Sequence, residues 1–336
     1  MHMADALLSP AVGAAFWAGT VGTISYCSKK LTDTMEEKLI PLMGVLGAFI
    51  FAAQMINFTI PGTGSSGHLG GGMILAVILG PYAAFIVMAS VLTVQALFFA
   101  DGGLLALGCN IWNLGLYPCF VAYPLIFRPL AGSGGSRRRL TIASLLGGVV
   151  GLQLGAISVV IETLLSGRSE LPFSTFALLM QPIHLAIGVV EGIVTAGVIN
   201  FIRAARPEIL EGSLSARPLS AHLPIKKVFI GFLVAAVLTG GVMSWFASSN
   251  PDGLEWSIQK VFGRPDLPGQ TSGIAHALKS IQEKTALLPD YGFRKADDDK
   301  GRASATSVSG LIGSALVLAG VLLIGYIIRA LRRKSA

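Results

Sequence analysis

Two histidines of this chain stand where side chains can bind a metal. His2 is the second residue, and His68 lies in Pro61-Gly-Thr-Gly-Ser-Ser-Gly-His68-Leu-Gly-Gly-Gly72, which has six glycines between positions 62 and 72. A histidine at position two makes the terminus a chelator. The Met1 α-amine, the deprotonated His2 amide and the His2 imidazole close two fused rings around one ion. Three nitrogens then share a plane, and one further imidazole completes a square. That donor set suits Ni(II) or Cu(II), whereas Zn prefers a tetrahedron and Mg or Ca prefer oxygen. The large side chain after Met1 disfavours its removal, and the terminus lacks the basic n-region of a signal peptide. Met1 and His2 are therefore expected to persist as the first two residues.

Other polar residues fall inside apolar stretches. A charge at the centre of a membrane span costs about 2.5–3.5 kcal/mol on insertion scales, so such residues invite a functional reading. Gln54 and Asn57 share one helix face, and Gln95 and Asp101 flank the end of another apolar run before Gly102-Gly103. All four are expected near the His68 loop, where amides and a carboxylate can orient imidazoles; interhelical hydrogen bonding explains each equally well taken alone. Asn110 and Asn113 share a face further along and are expected away from the loop. Gln153, Glu162, His184 and Glu191 lie on later spans, the last two being two helical turns apart, and structural pairing within the bundle is favoured for them over a metal stop or proton relay.

The elements that must carry these residues are membrane helices. Apolar residues make up 53% of the chain, charged residues 13%, and the mean hydropathy is +0.69. Several runs reach the roughly 20 residues that cross a bilayer. Spans are expected near 10–28, 39–58, 69–80, 81–100, 104–127, 141–165, 175–201, 228–248 and 308–328, with a break at Gly80-Pro81. The fold class is thus an all-α polytopic membrane protein, with seven spans in a capture bundle and two in a C-terminal hairpin. The net charge of +7 belongs to membrane orientation rather than to nucleic acid. With the N-terminus outside, Lys29/Lys30, Arg137–Arg139, Lys226/Lys227 and Arg332/Arg333 all fall on the cytoplasmic side, the positive-inside pattern. His2 and His68 then face outward, and the C-terminus is cytoplasmic. Cys27, Cys109 and Cys119 sit in or beside spans and offer neither a disulfide framework nor a CxxC pair.

Three segments follow: 1–202 as a metal-capture transmembrane domain, 203–227 as a cytoplasmic linker, and 228–336 as an accessory hairpin with outer loop 249–307. That loop contains Asn250-Pro-Asp-Gly-Leu-Glu255 and an amphipathic stretch around Leu254, Trp256, Ile258 and Val261. The first span carries Ala14-xxx-Ala18 and Ala15-xxx-Gly19, small residues that serve close helix packing within the bundle or docking of another membrane subunit. There is no HExxH and no GxxxxGK[ST], so neither a zincin nor a P-loop ATPase is encoded.

In combination these stretches resemble the substrate-capture subunit, or S component, of energy-coupling-factor type nickel/cobalt ABC importers. The resemblance rests on Met1-His2 with Asp5 and Leu8-Ser9, on Gln54-Met-Ile-Asn-Phe58 leading to Gly62-Thr63 and Ser66-Gly-His-Leu69, and on Gln95 through Gly103 continuing to Asn110 and Asn113. His184 through Glu191-Gly192 completes it. The C-terminal hairpin looks like the accessory subunit with a Pro-Asp-Gly-Leu-Glu motif, here Pro251 to Glu255, fused to the first. The resemblance implies metal ligands Met1, His2 and His68; Gln54, Asn57, Ser66, Gln95 and Asp101 are expected around them. It also implies a transmembrane coupling subunit (T component) and cytoplasmic ATP-binding subunits in the bacterial cell membrane. One departure stands beside Met1-His2. The family reads Ile-Pro-Asp-Gly-Phe next, whereas this chain has Met3-Ala-Asp-Ala-Leu7, without the Pro and Gly constraints.

The expected activity is therefore non-enzymatic: capture of Ni(II) as transported substrate, with Co(II) as the alternative and no bound organic cofactor. Planar nitrogens with a deprotonated amide favour low-spin Ni(II), and the fused accessory hairpin looks more like nickel systems. A passive or secondary divalent-metal transporter is the rival. A membrane metalloenzyme built on His184 and Glu191 is disfavoured, because no nucleophile or further ligand stands at a recognisable spacing.

Overall fold

The computed structural model describes residues 2–34, 39–132, 135–167, 172–215, 225–264, 267, 273–293 and 299–335; the expected ligand Met1 lies outside them. The apolar runs of the first part form α1 (Pro10–Thr34), α2 (Leu39–Gln54), α3 (Gly72–Leu79), α4 (Pro81–Phe99), α5 (Leu107–Ala131), α6 (Arg137–Ser166) and α7 (Phe173–Ala205). A short α8 (Pro207–Ser215) follows. The second part holds α9 (Lys226–Gly241), α10 (Gly253–Phe262), α11 (Gly273–Thr285) and α12 (Asp299–Ser335). Among the described residues five helices, α4 to α7 and α12, are long and apolar enough to cross a membrane.

Sequence chemistry accounts for the joints. Gly80 takes φ 77° and Pro81 opens α4, so the expected break between α3 and α4 is present. Through Trp112–Phe127, α5 winds as a wide π-helix around Pro118 and Pro124, which have no N–H to give to an α-helical ladder. α2 is apolar and buried nearly all round, as a helix without a polar stripe must be. It is enclosed by α4 on one side and by α9 and α12 on the other.

One expectation is corrected here. The helix expected over 39–58 stops short: α2 ends at Gln54 and the chain turns into a two-stranded antiparallel hairpin, β1 (Phe58–Ile60) and β2 (Ser65–Gly67). Its register pairs Phe58 with Gly67, Thr59 with Ser66 and Ile60 with Ser65. Pro61-Gly62-Thr63-Gly64 makes the turn, and strands of three residues leave no trace in a hydropathy window. The all-α reading becomes helical with one small hairpin, and that hairpin carries the His68 loop.

The segment between α9 and α12 packs against the end of the first part that carries the β1–β2 hairpin. Ser248 N–H donates to the Asn57 carbonyl (2.6 Å), Trp256 Nε1–H to the Thr63 carbonyl (3.0 Å), and Gln282 Nε2 to the carbonyls of Ala96 (2.9 Å) and Gly102 (2.7 Å). The expected loop 249–307 is thus largely helical. Its amphipathic stretch is α10, which buries Leu254 and Ile258 and starts from a reciprocal cap between Asp252 and Glu255.

Candidate metal centre

The chain enters the site from its own beginning. Met3 is fully buried, its N–H donates to Asn110 Oδ1 (2.8 Å), and its carbonyl accepts from Gly103 N–H (2.9 Å) and Asn110 Nδ2 (3.3 Å). Asp5 Oδ1 accepts from Ala106 N–H (3.0 Å), and Leu7 and Leu8 are buried. Without the Pro and Gly of the related pattern, the segment is held by a two-sided amide clamp. Asn110, expected away from the site, is one jaw of it. Asn113 continues the network, donating to Glu162 Oε2 (2.9 Å), whose other oxygen accepts from Ser158 Oγ (2.9 Å).

That clamp sets His2 beside His68. The two imidazoles stack with centroids 4.9 Å apart and planes 16° apart. His2 Nδ1 is 3.3 Å from Asp101 Oδ1, and Asp101 Oδ2 accepts from the Tyr291 hydroxyl of the second part (2.6 Å). His68 Nδ1 is 3.0 Å from the Leu69 carbonyl, which can only accept, so this nitrogen carries the proton and Nε2 carries the lone pair. The Gln95 amide is buried next to His2 and Tyr291.

Glu191 holds the loop in place. This buried carboxylate accepts from the N–H groups of Gly70 (2.9 Å) and Gly71 (3.0 Å), while Gln54 Nε2 donates to the Gly70 carbonyl (2.8 Å). Gly71 has φ 77°, and a Cβ there would stand 2.6 Å from Ile50, so only glycine fits. Glu191→Ala strands two buried N–H groups, each costing about 1–3 kcal/mol. The variant is expected to melt well below the parent, as followed by tryptophan fluorescence, and to bind nickel more weakly. Unchanged melting and affinity would remove the loop-holding role.

Residues 2–209 match the family described as the cobalt uptake substrate-specific transmembrane region. The chain belongs to that family. Residues 226–330 match the PDGLE domain, so this is a metal-capture component fused to its PDGLE subunit. A fused nickel transport protein, NikMN, of Rhodobacter capsulatus is 30% identical, with 100% of both chains covered. A cobalt transport protein, CbiM, of Sorangium cellulosum is 31% identical over 63% of this chain and 95% of its own. A crystal structure of a transition metal transporter superimposes with a TM-score of 0.54 at 33% identity, covering 63% of this chain and 96% of that one.

In this capture component the residues expected around the metal divide into groups. His2, His68, Gln95 and Asp101 come together, while Gln54 reaches the same loop at the Gly70 carbonyl. Ser66 lies at the joint with the PDGLE subunit, where its Oγ donates to the Asn250 carbonyl (2.7 Å). Asn57 offers its carbonyl to Ser248. His184 and Glu191 have structural partners within the bundle, though not each other: His184 Nδ1 faces the Met180 carbonyl (2.8 Å), and Glu191 is taken by the glycine loop. Tyr291 and Asp252 were not legible from the first part alone, since both arrive from the PDGLE subunit.

Burial keeps both stacked rings neutral, lowering His2 and His68 to about 3. A solvated histidine titrates near 6.5. Burial of the neutral rings therefore contributes stability that is fully present above about pH 6.5 and is lost as the pH falls towards 3. The metal-free component is expected to melt progressively lower from about pH 6 to about pH 4, with a flatter slope in His68→Gln. Identical slopes would exclude this ring as a source.

Proposed function

We propose that this capture component takes Ni(II) from the outer side and delivers it to an ATP-driven importer. The observation that carries the reading is the stacking of His2 on His68 at the end of a clamped N-terminal segment. One ion can bridge the Met1 amine, the His2 amide and imidazole, and His68 Nε2. In that chelate His2 uses Nδ1, the nitrogen now facing Asp101, and keeps its proton on Nε2. Nε2 is buried without a hydrogen-bond partner, and so is the neighbouring Gln95 Oε1, which would accept that proton's hydrogen bond. Asp101, Gln95 and Gln54 then act by orienting ligands and loop.

We further read 1–202 as seven spans, 203–227 as a cytoplasmic linker, and 228–336 as a two-span hairpin, with the N-terminus outside. Ala11, Ala14, Ala15 and Ala18 form an exposed small-residue face on α1, which suits docking of a transmembrane coupling subunit. ATP-binding subunits supply the energy. Nickel is favoured over cobalt by the planar nitrogen set and by the nickel-named relative that shares the fused architecture end to end, whereas the cobalt-named one matches 63% of the chain. Uptake of radioactive nickel and cobalt into cells carrying this chain, with and without the partner subunits, tests the proposal. Nickel uptake should exceed cobalt uptake and should require the ATP-binding subunits. Accumulation without them would establish the passive or secondary alternative instead.

A further inference from the structure

We propose that a groove between α6 and α7 binds one anionic phospholipid, its phosphate held by Arg137 and Arg203 and an acyl chain lying along Ile193. Arg137 is the first residue of α6 and Arg203 lies in the last turn of α7, and both line the same groove. Arg137 is exposed and Arg203 half-buried. Among the described residues neither guanidinium is paired with a carboxylate. Two such groups suit a phosphate, which their planar forks can bind through paired N–H donors.

The groove has a volume of about 780 Å³. Across it Asn200 Nδ2 donates to Thr141 Oγ1 (3.2 Å) and to the Ala196 carbonyl (2.8 Å). Having accepted from Asn200, the Thr141 hydroxyl still has a proton to give to an anion. The remaining wall is apolar, with Ile193 58% and Phe201 56% exposed. Gly197 opens the space between them, since a Cβ there would meet no neighbouring atom within 4 Å. From Ile193 to Arg203 the helix rises about 15 Å. That is half of the roughly 30 Å hydrocarbon core, the depth of one leaflet.

Cations at one end and an apolar wall one leaflet deep match the two ends of a single molecule. A free anion would use only the first of them. Basic pockets between membrane helices take anionic headgroups on the cytoplasmic side, and this basic end is the one read above as cytoplasmic.

Native mass spectrometry of the full chain, released from nanodiscs of mixed phosphatidylglycerol and phosphatidylcholine, counts the lipid that stays bound. One phosphatidylglycerol per chain should be retained in preference to phosphatidylcholine. Arg137→Gln combined with Arg203→Gln should weaken that retention about tenfold or more. Gly197→Leu should also displace the lipid, with both arginines in place. Its side chain enters open groove and replaces a glycine inside a helix, so the variant should fold as the parent does. Arg138→Gln removes the same charge from a neighbouring residue that does not line the groove, and retention should be unchanged. A loss in Arg138→Gln equal to that in the double variant would mean diffuse surface attraction and overturn the site. Retention indifferent to Gly197→Leu would overturn it too, as would inorganic phosphate competing as well as the lipid does. If the variants keep the lipid but lose a co-purifying coupling subunit, the groove belongs to that subunit instead.

Discussion

Two or three residues placed ahead of Met1 should abolish nickel capture, while the same tag after Ala336 should leave it intact. The extension turns the Met1 amine into an amide and moves the chelate rings away from residue one, although both histidines stay in the chain. Three of the four proposed donors belong to the first two residues. Removing groups that merely orient ligands already costs about 10–100-fold in affinity, so loss of the ligands themselves should exceed that range. The fold predicts the same direction. Met3 is buried and clamped by Asn110 and Gly103, so added residues must be accommodated just beyond a closed grip. The absorption band of planar Ni(II) bound through a deprotonated amide, measured in the two tagged proteins, decides the matter. An unchanged band with an uncleaved N-terminal extension would remove the amine from the site.

His68→Ala is expected to weaken nickel binding by about 100-fold or more, since it takes away the one donor that comes from outside the terminus. The ring also stacks on His2 and is buried, so its removal leaves a gap against the chelating residue. His276→Ala is the control: this histidine lies exposed on α11, and its loss should be neutral. Calorimetric titration of both variants gives the comparison. Parent-like affinity in His68→Ala would mean that the fourth position of the square is filled by another group.

Much of this architecture could be read from composition and periodicity, because long apolar runs declare themselves without reference to partners. The proximity of His2 to His68 followed from chelate chemistry and resemblance. What stayed hidden are contacts between residues far apart in the chain. Asn110 on Met3, Glu191 on Gly70 and Gly71, and Tyr291 on Asp101 each join residues more than 100 positions apart. No local pattern encodes such partners. His184 and Glu191 were legible as structural residues of the bundle but not by partner: each is held by backbone groups that their helical spacing does not name. The β1–β2 hairpin escaped because its strands are three residues long and follow an apolar helix directly.

Asp101 grips two things at once, the ring of His2 and the hydroxyl of Tyr291. If an arriving ion takes His2 Nδ1, one of those holds is released and the carboxylate is left to the tyrosine. The free energies of the two events are then linked, and linkage is reciprocal. Whatever the metal does to the seating of the PDGLE subunit, that seating does to the metal's affinity by the same factor. A subunit without a single donor to the chelate thereby acquires a thermodynamic vote on when the ion is held and when it is let go.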